Sequence, residues 1–389
     1  MKKIAIVRKG DFYLYAYDII DELSSRGFDV TAIVSIDKSE ENVIYDDLLN
    51  RITGKARCIR IKDISKRNYL RAKGLFNKFG LSSEALIVSP YLVYKTRRLL
   101  RREKFDYIIA LGQESFYWAY QSFPEQRHRI LYHNLEIIYK GHPMTKDPTW
   151  NRIVQFETNV LPGIGGLIIQ DRQRADILLR DVRNFPSEKL IYFPVSINEP
   201  IVRTKGSYLI DKFGLSPEDK VVLYFGGIWQ GRFLDEIVND ASALPDGVKV
   251  VIHGGRGSFQ LQANNERIIV SADKLLFSQV TGLISSAHIG LAFYSSDNFN
   301  DQYTAYSSEK ISRYCQCGVP FIAFDNENYA HFKGQYDCCI LINDINEMST
   351  AIRKLLDNYA YYQANAWLAF ENLFDYKKQI NTIINFLQK

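Results

Sequence analysis

Two cations in this chain sit where a polypeptide ordinarily avoids them. Lys310 falls in the first turn of a helix read from Ser308 to Cys317, and Arg232 at the start of one read over 233–239. The free N–H groups of a helix start carry partial positive charge, so a cation there is disfavoured unless an anion is bound. Capping accounts for Ser307 or Ser308 without any ligand, but it does not account for Lys310. Arg232 follows Phe225-Gly226-Gly227, and Gly254-Gly255 closes a second apolar run. Glycine lets backbone approach a diphosphate closely, although a tight turn also explains a Gly pair. Glu309, one residue before Lys310, is either a ligand-facing carboxylate or a solvated first-turn acid. His133, beside Asn134 and Glu136 at a strand end, reads equally as a ligand contact or a hydrogen-bonded structural histidine. Asp11, Glu114 and Glu136 each follow an apolar run, where a carboxylate could deprotonate a hydroxyl.

These residues need elements to hold them. Ile4–Val7, a helix near Tyr13–Ser25 closed by Gly27, and Asp29–Val34 form a strand, helix, strand unit with parallel strands. The alternation continues through Leu86–Val88, a basic helix at Tyr91–Arg102, Asp106–Leu111, Arg129–His133, the helix Trp150–Val160, Gly166–Gln170 and Leu190–Pro194. Residues 196–206 carry no period and read as a linker. The pattern then restarts at Val221–Phe225 and runs through Val248–Ile252, Arg267–Val270, Ile289–Phe293, Pro320–Phe324 and Cys339–Ile342. The expectation is α/β, with two Rossmann-like domains facing across a cleft, 1–196 and 207–373. The apolar stripe Ile380, Ile383, Ile384 and Leu387 must be buried. Ligands of open parallel sheets bind beyond the strands' carboxyl ends, where the strand order reverses.

Composition narrows the class. The 389 residues are 46% apolar and 24% charged, which marks a globular chain. No apolar run approaches the roughly 18 residues of a membrane span, and the N-terminal apolar run is too short for a signal peptide, so a cytoplasmic address is expected. Five cysteines lack the spacing of a disulfide framework or zinc ribbon. The net charge of +5 conceals an asymmetry. Residues 51–104 hold sixteen Lys/Arg against three acids, a local +13 that leaves −8 on the remainder. A one-sided block of this kind suits an anionic partner. An anionic membrane surface is expected; nucleic acid is not, since no nucleic-acid motif appears.

The stretch Tyr306–Ala323 resembles the donor-site helix of glycosyltransferases with the two-Rossmann GT-B fold, near the family 4 group. Many of these read Ser-Pro-x-Lys, then apolar residues, then Tyr-x-x-x-Gly-x-Pro-Val-Ile-Ala. Ser307, Lys310, Tyr314, Gly318, Pro320 and Ile322 keep that spacing. Phe225-Gly226-Gly227 and Arg232 resemble the family's Gly-rich loop and its diphosphate-binding cation. Leu131–Glu136 resembles the strand end carrying a donor-facing histidine, here His133. The chain departs from the family's Glu-x7-Glu pair, because alignment on Gly318 puts Ala305 and Arg313 at those positions. In the resembling fold the terminal helix packs back on the first domain, which places 374–389 there.

The resemblance implies transfer of a sugar from a nucleoside-diphosphate sugar to a glycan or lipid-linked acceptor, in bacterial surface polysaccharide synthesis. The donor would lie on Gly226, Gly227, Arg232, Gly254, Ser307, Ser308, Glu309 and Lys310, with backbone N–H groups near Gly227 and Ser308 helping to hold its diphosphate. His133, Glu136 and Asp11 would complete the catalytic set. No Asp-x-Asp occurs in the chain, so side chains rather than a metal are expected to neutralise the diphosphate. A nucleotide-sugar epimerase and a non-catalytic sugar- or partner-binding relative are the alternatives.

Overall fold

The computed structural model describes residues 1–10, 14–36, 54–62, 88–228, 231–239, 244–254, 261, 265–273 and 275–389. The chain divides into two compact units. One comprises Met1–Phe193 with Ile380–Lys389, and the other Pro194–Gln379. The division therefore falls just ahead of the 196–206 stretch.

In the first unit the strands are β1 (Lys3–Lys9), β2 (Asp29–Ile36), β3 (Arg57–Lys62), β4 (Tyr107–Leu111), β5 (Ile130–His133), β6 (Gly166–Ile169) and β7 (Leu190–Tyr192). They form one parallel sheet in the order β3-β2-β1-β4-β5-β6-β7. Helices α1 (Leu14–Ser25), α2 (Pro90–Leu99), α3 (Gln113–Ser122), α4 (Pro148–Val160) and α5 (Arg172–Leu178) intervene. Central strands such as Ile4–Val7 and Ile108–Leu111 are buried throughout, as expected of strands covered on both faces. The expected strand at 86–88 lies mostly outside the described residues. Val88 alone is described, and it is not in a strand.

The second unit repeats the plan. Its strands are β8 (Lys220–Phe225), β9 (Val248–His253), β10 (Ile268–Ser271), β11 (Ile289–Ala292), β12 (Phe321–Phe324) and β13 (Cys339–Ile342). Their order is β10-β9-β8-β11-β12-β13, again parallel. Its helices include α6 (Tyr208–Phe213), α7 (Leu234–Asn239), α8 (Phe277–Ser285), α9 (Glu309–Gln316), α10 (Glu327–Tyr336), α11 (Met348–Asp357) and α12 (Tyr359–Ala369). One apolar cluster lies under α9 and α12 and includes Leu223, Tyr314 and Phe370. The other lies under α7 and α11 and includes Tyr224, Ile237 and Ile352. Strand order reverses between β8 and β11, so the carboxyl ends of those two strands are where a ligand is expected.

The last helix, α13 (Tyr376–Gln388), crosses the division between the units. Ile380, Ile383, Ile384 and Leu387 are buried. Within the first unit, the Leu387 carbonyl accepts from Lys2 Nζ at 2.7 Å and the Phe386 ring lies 6.2 Å from that of Tyr107.

Candidate active site

The reversal point is held together by a tyrosine and two glycines. Tyr314 on α9 is fully buried and donates its hydroxyl to the Leu223 carbonyl at 2.8 Å. Its ring lies so close to Gly290 of β11 that any Cβ there would overlap it. Gly318 ends the helix with φ +61°, and a Cβ at this position would overlap the Trp367 ring. The Val319 N–H closes the turn onto the Tyr314 carbonyl at 2.9 Å. Tyr314 and Gly318 of the motif, with Gly290 of β11, thus fix where α9 lies relative to β8 and β11.

That start presents Lys310. Ser308 is the N-cap, its hydroxyl accepting from the Ile311 N–H. Lys310 is only 9% exposed, and among the described residues it has no hydrogen-bond acceptor or ion-pair partner. Its Nζ lies 3.8 Å from the ring centroid of Tyr224 and 5.1 Å from that of Tyr294. Burial, followed by the nearby charge of Arg232, pushes its pKa well below the usual lysine range. Gly226 has φ +134°, and a Cβ there would stand 3.4 Å from Lys310 Cε. The Gly254 backbone packs against the Gly226 carbonyl too closely for any side chain. Gly226 therefore leaves room beside the lysine, and Gly254 lets the ends of β8 and β9 meet.

Arg232 corrects the sequence reading. Helix α7 begins at Leu234, so Arg232 lies ahead of it rather than in its first turn, and the dipole argument does not apply. Gly231, just before Arg232, has φ +81°, and Phe233, just after it, adopts a left-handed backbone at φ +58°. For a bulky residue that costs about 1–2 kcal/mol. Arg232 Nη2 pairs with Asp301 Oδ1 at 3.2 Å, its guanidinium lies 4.5 Å from the Tyr294 ring, and its Nη1 is buried with no partner among the described residues. An unpaired buried guanidinium N–H is costly. Arg232 Nη1 is thus the atom an anion would satisfy.

The remaining predicted residues separate. Ser307 and Ser308 donate their backbone N–H groups to the Thr304 carbonyl at 3.2 and 3.0 Å, so these amides are spent inside the protein rather than open to a diphosphate. Glu309 accepts from Arg313 Nε at 2.8 Å and is 57% exposed. Arg313 is buried and also reaches Glu199 at 3.4 Å. In the first unit, His133 is fully buried, and burial, then the nearby charge of Arg8, pushes its pKa down to about 3. Glu136 is exposed. Glu114 is 45% exposed and pairs with Lys9 at 3.1 Å. Asp11 lies outside the described residues.

Sequence reasoning missed Tyr224, Tyr294 and Asp301. The Tyr294 ring faces both cations, and its hydroxyl shares a hydrogen bond with Ser308. The available signal was its place two residues beyond β11, at the strand end bordering the reversal.

No family model matches the chain, and no curated protein matches it. Solved structures do. Sucrose-phosphate synthase from Thermosynechococcus elongatus superposes with a TM-score of 0.70 at 13% identity, covering 100% of this chain and 98% of that one. HepE from Anabaena, solved in complex with UDP-glucose, gives 0.69 at 13%, covering 100% of both chains. A putative UDP-N-acetylglucosamine 2-epimerase from Listeria monocytogenes gives 0.60 at 12%, covering 99% and 95%. The chain has the GT-B fold. Within this GT-B chain, Ala305 and Arg313 stand at the two positions where the family pattern carries glutamates. Ala305 is buried, with its N–H bonded to Asn328 Oδ1 at 2.9 Å, and Arg313 is the centre of the Glu199–Glu309 network.

Proposed function

We propose that this chain is a glycosyltransferase that takes a sugar from a nucleoside-diphosphate donor bound to its second unit and passes it to a glycan or lipid-linked acceptor. The observation that carries this reading is the pair Lys310 and Arg232. Among the described residues, one is a nine-tenths buried lysine without an acceptor, and the other an arginine whose buried Nη1 has no partner. Both stand at the strand-order reversal of a GT-B unit. A diphosphate leaving group supplies the counter-charge for Lys310 and an acceptor for Arg232 Nη1, and its charge grows as the glycosidic bond breaks. Preorganised donors aimed at developing charge are worth roughly 10²–10³ in rate each. Lysine and arginine take the role a metal would otherwise fill, so the reaction proceeds without one. If configuration inverts, Glu136 or Glu114 serves as the base that removes the acceptor's hydroxyl proton. The block 51–104 brings the protein to an anionic membrane surface, where a lipid-linked acceptor is found.

Product analysis with labelled nucleotide sugars tests the reading. Transfer should appear with one donor and fall about 10²-fold or more in Lys310→Ala and Arg232→Ala, with melting curves little changed. A product that is an epimerised nucleotide sugar would replace the transferase reading. Near-normal turnover in either variant would remove that residue from the site.

A further inference from the structure

Beside the cation pair the second unit opens into a cavity of about 430 Å³, within the range of small-molecule sites. The carboxyl ends of β11, β12 and β13 and the start of α7 enclose it. Two residues belong to both places. Asp301 lines the cavity and pairs with Arg232, and the Tyr294 ring forms a wall while facing Arg232 and Lys310. A molecule with its anionic end on the cations therefore has its adjoining group at the cavity mouth.

The lining shows what that group can be. Phe233, Phe324 and Tyr329 join Tyr294 as ring walls, the first two with centroids 4.4 Å apart. The charged side chains are Glu236, Asp301, Asp325 and Asp344, and no lysine or arginine occurs among the described residues of the lining. Asp301 is balanced by Arg232. Glu236, Asp325 and Asp344 are exposed and make no ion pair among the described residues. Such a chamber repels an anion, so the diphosphate itself stays outside, on Lys310 and Arg232. Carboxylates accept from hydroxyl and ammonium groups, while ring faces cover the C–H faces of a pyranose.

We propose that this cavity is the subsite for the sugar carried on the diphosphate, and that its carboxylates restrict that sugar to uncharged or amino hexoses and exclude acidic ones. The proposal rests on the donor reading above. Unlike that reading, it concerns selection by charge at positions remote from the diphosphate. It also accounts for Phe233, whose left-handed backbone directly follows the cation and whose ring forms part of the wall.

Calorimetry on the full chain tests it. Inorganic pyrophosphate, UDP, GDP and TDP are titrated first, and then the hexose and hexuronate conjugates of the nucleotide that binds. The hexose conjugate should bind at least tenfold more tightly than the hexuronate. In the double variant Glu236→Gln/Asp325→Asn that ratio should fall below threefold. Both side chains are exposed, so folding is not at stake. Equal affinity for the two conjugates in the native protein, or an unchanged ratio in the variant, would overturn the proposal while leaving diphosphate binding in place. Failure of pyrophosphate and all three nucleotides to bind would remove the donor reading, and this proposal with it.

Discussion

Lys310 is held by aromatic faces rather than by carboxylates, and this sets how it should respond to pH. Burial and the charge of Arg232 keep its pKa well below the ordinary value, whereas a bound diphosphate favours the protonated form. Binding therefore draws a proton onto Lys310 once pH exceeds its free-protein pKa, and affinity falls as pH rises through that range. The slope approaches tenfold per pH unit. Tyr294 positions both cations, so Tyr294→Leu should weaken pyrophosphate binding at least tenfold and alter this slope. Tyr294→Phe keeps the ring and should stay within a few-fold of native. Titration calorimetry across pH in the two variants and in Lys310→Met decides it. A Leu variant matching the native protein in both affinity and slope would dismiss Tyr294 as a clamp. The part played by Tyr294 was not read from the sequence, because its one signal, a place two residues past a strand end, is shared by many residues that bind nothing. Lys310 was legible because a cation in a first helical turn breaks a local rule.

At the scale of elements, most strands were visible as short apolar runs. The failures have definite causes. β3 reads Arg-Cys-Ile-Arg-Ile-Lys, and its place at the sheet edge leaves Arg57, Cys58 and Arg60 exposed, so no apolar run marks it. Helix α10 buries only Asn328, Tyr329 and Phe332, too few to show a stripe. Arg232 was misplaced because the left-handed turn at Phe233 delays the helix. The joints between elements are close-packed. Gly290→Ala forces a Cβ into the Tyr314 ring, and Gly318→Ala adds left-handed strain to a collision with Trp367. Each should cost about 1–3 kcal/mol, read as a lowered denaturant midpoint. Unchanged midpoints would mean α9 shifts freely.

Helix α4 meets β5 through a different kind of joint. Glu157 is buried, its Oε1 accepts from Tyr132 Oη at 2.5 Å, and Asn134 Nδ2 donates to that same hydroxyl at 2.8 Å. Burial pushes the Glu157 pKa up to about 8. Between about pH 4.5 and 8 the folded chain keeps a proton that the unfolded chain has lost. Stability from this group is therefore full below that window and declines as pH rises through it, by up to about 1.4 kcal/mol per unit. Glu157→Gln retains the acceptor and removes the ionisation. Melting temperature should fall from pH 5 to 8.5 more steeply in the native protein than in the variant. Parallel curves would place the proton elsewhere.

Across the whole molecule charge is unevenly spread, and the described part of the basic block shows what accompanies it. Helix α2 exposes Tyr91, Tyr94 and Leu99 at 45, 57 and 56%. Arg97 and Arg98 are exposed beside them, with Arg101, Arg102 and Lys104 just beyond. Exposed tyrosines and a leucine among cations form a surface suited to lie at a lipid headgroup layer, with rings at the interface and charges on anionic phosphates. No described helix is long and apolar enough to cross a membrane. Each Lys or Arg near an anionic leaflet contributes about 1 kcal/mol. That attraction is screened over about 10 Å at 0.1 M salt. Vesicles with anionic lipid should therefore sediment the protein at low salt and release it at high salt. Arg97→Glu/Arg98→Glu should abolish most binding, because it reverses two charges at the contact. Tyr91→Ala/Tyr94→Ala should weaken binding but keep its salt dependence, since the rings act through burial. Equal binding to neutral and anionic vesicles, or charge reversal without effect, would show that the block serves another anion.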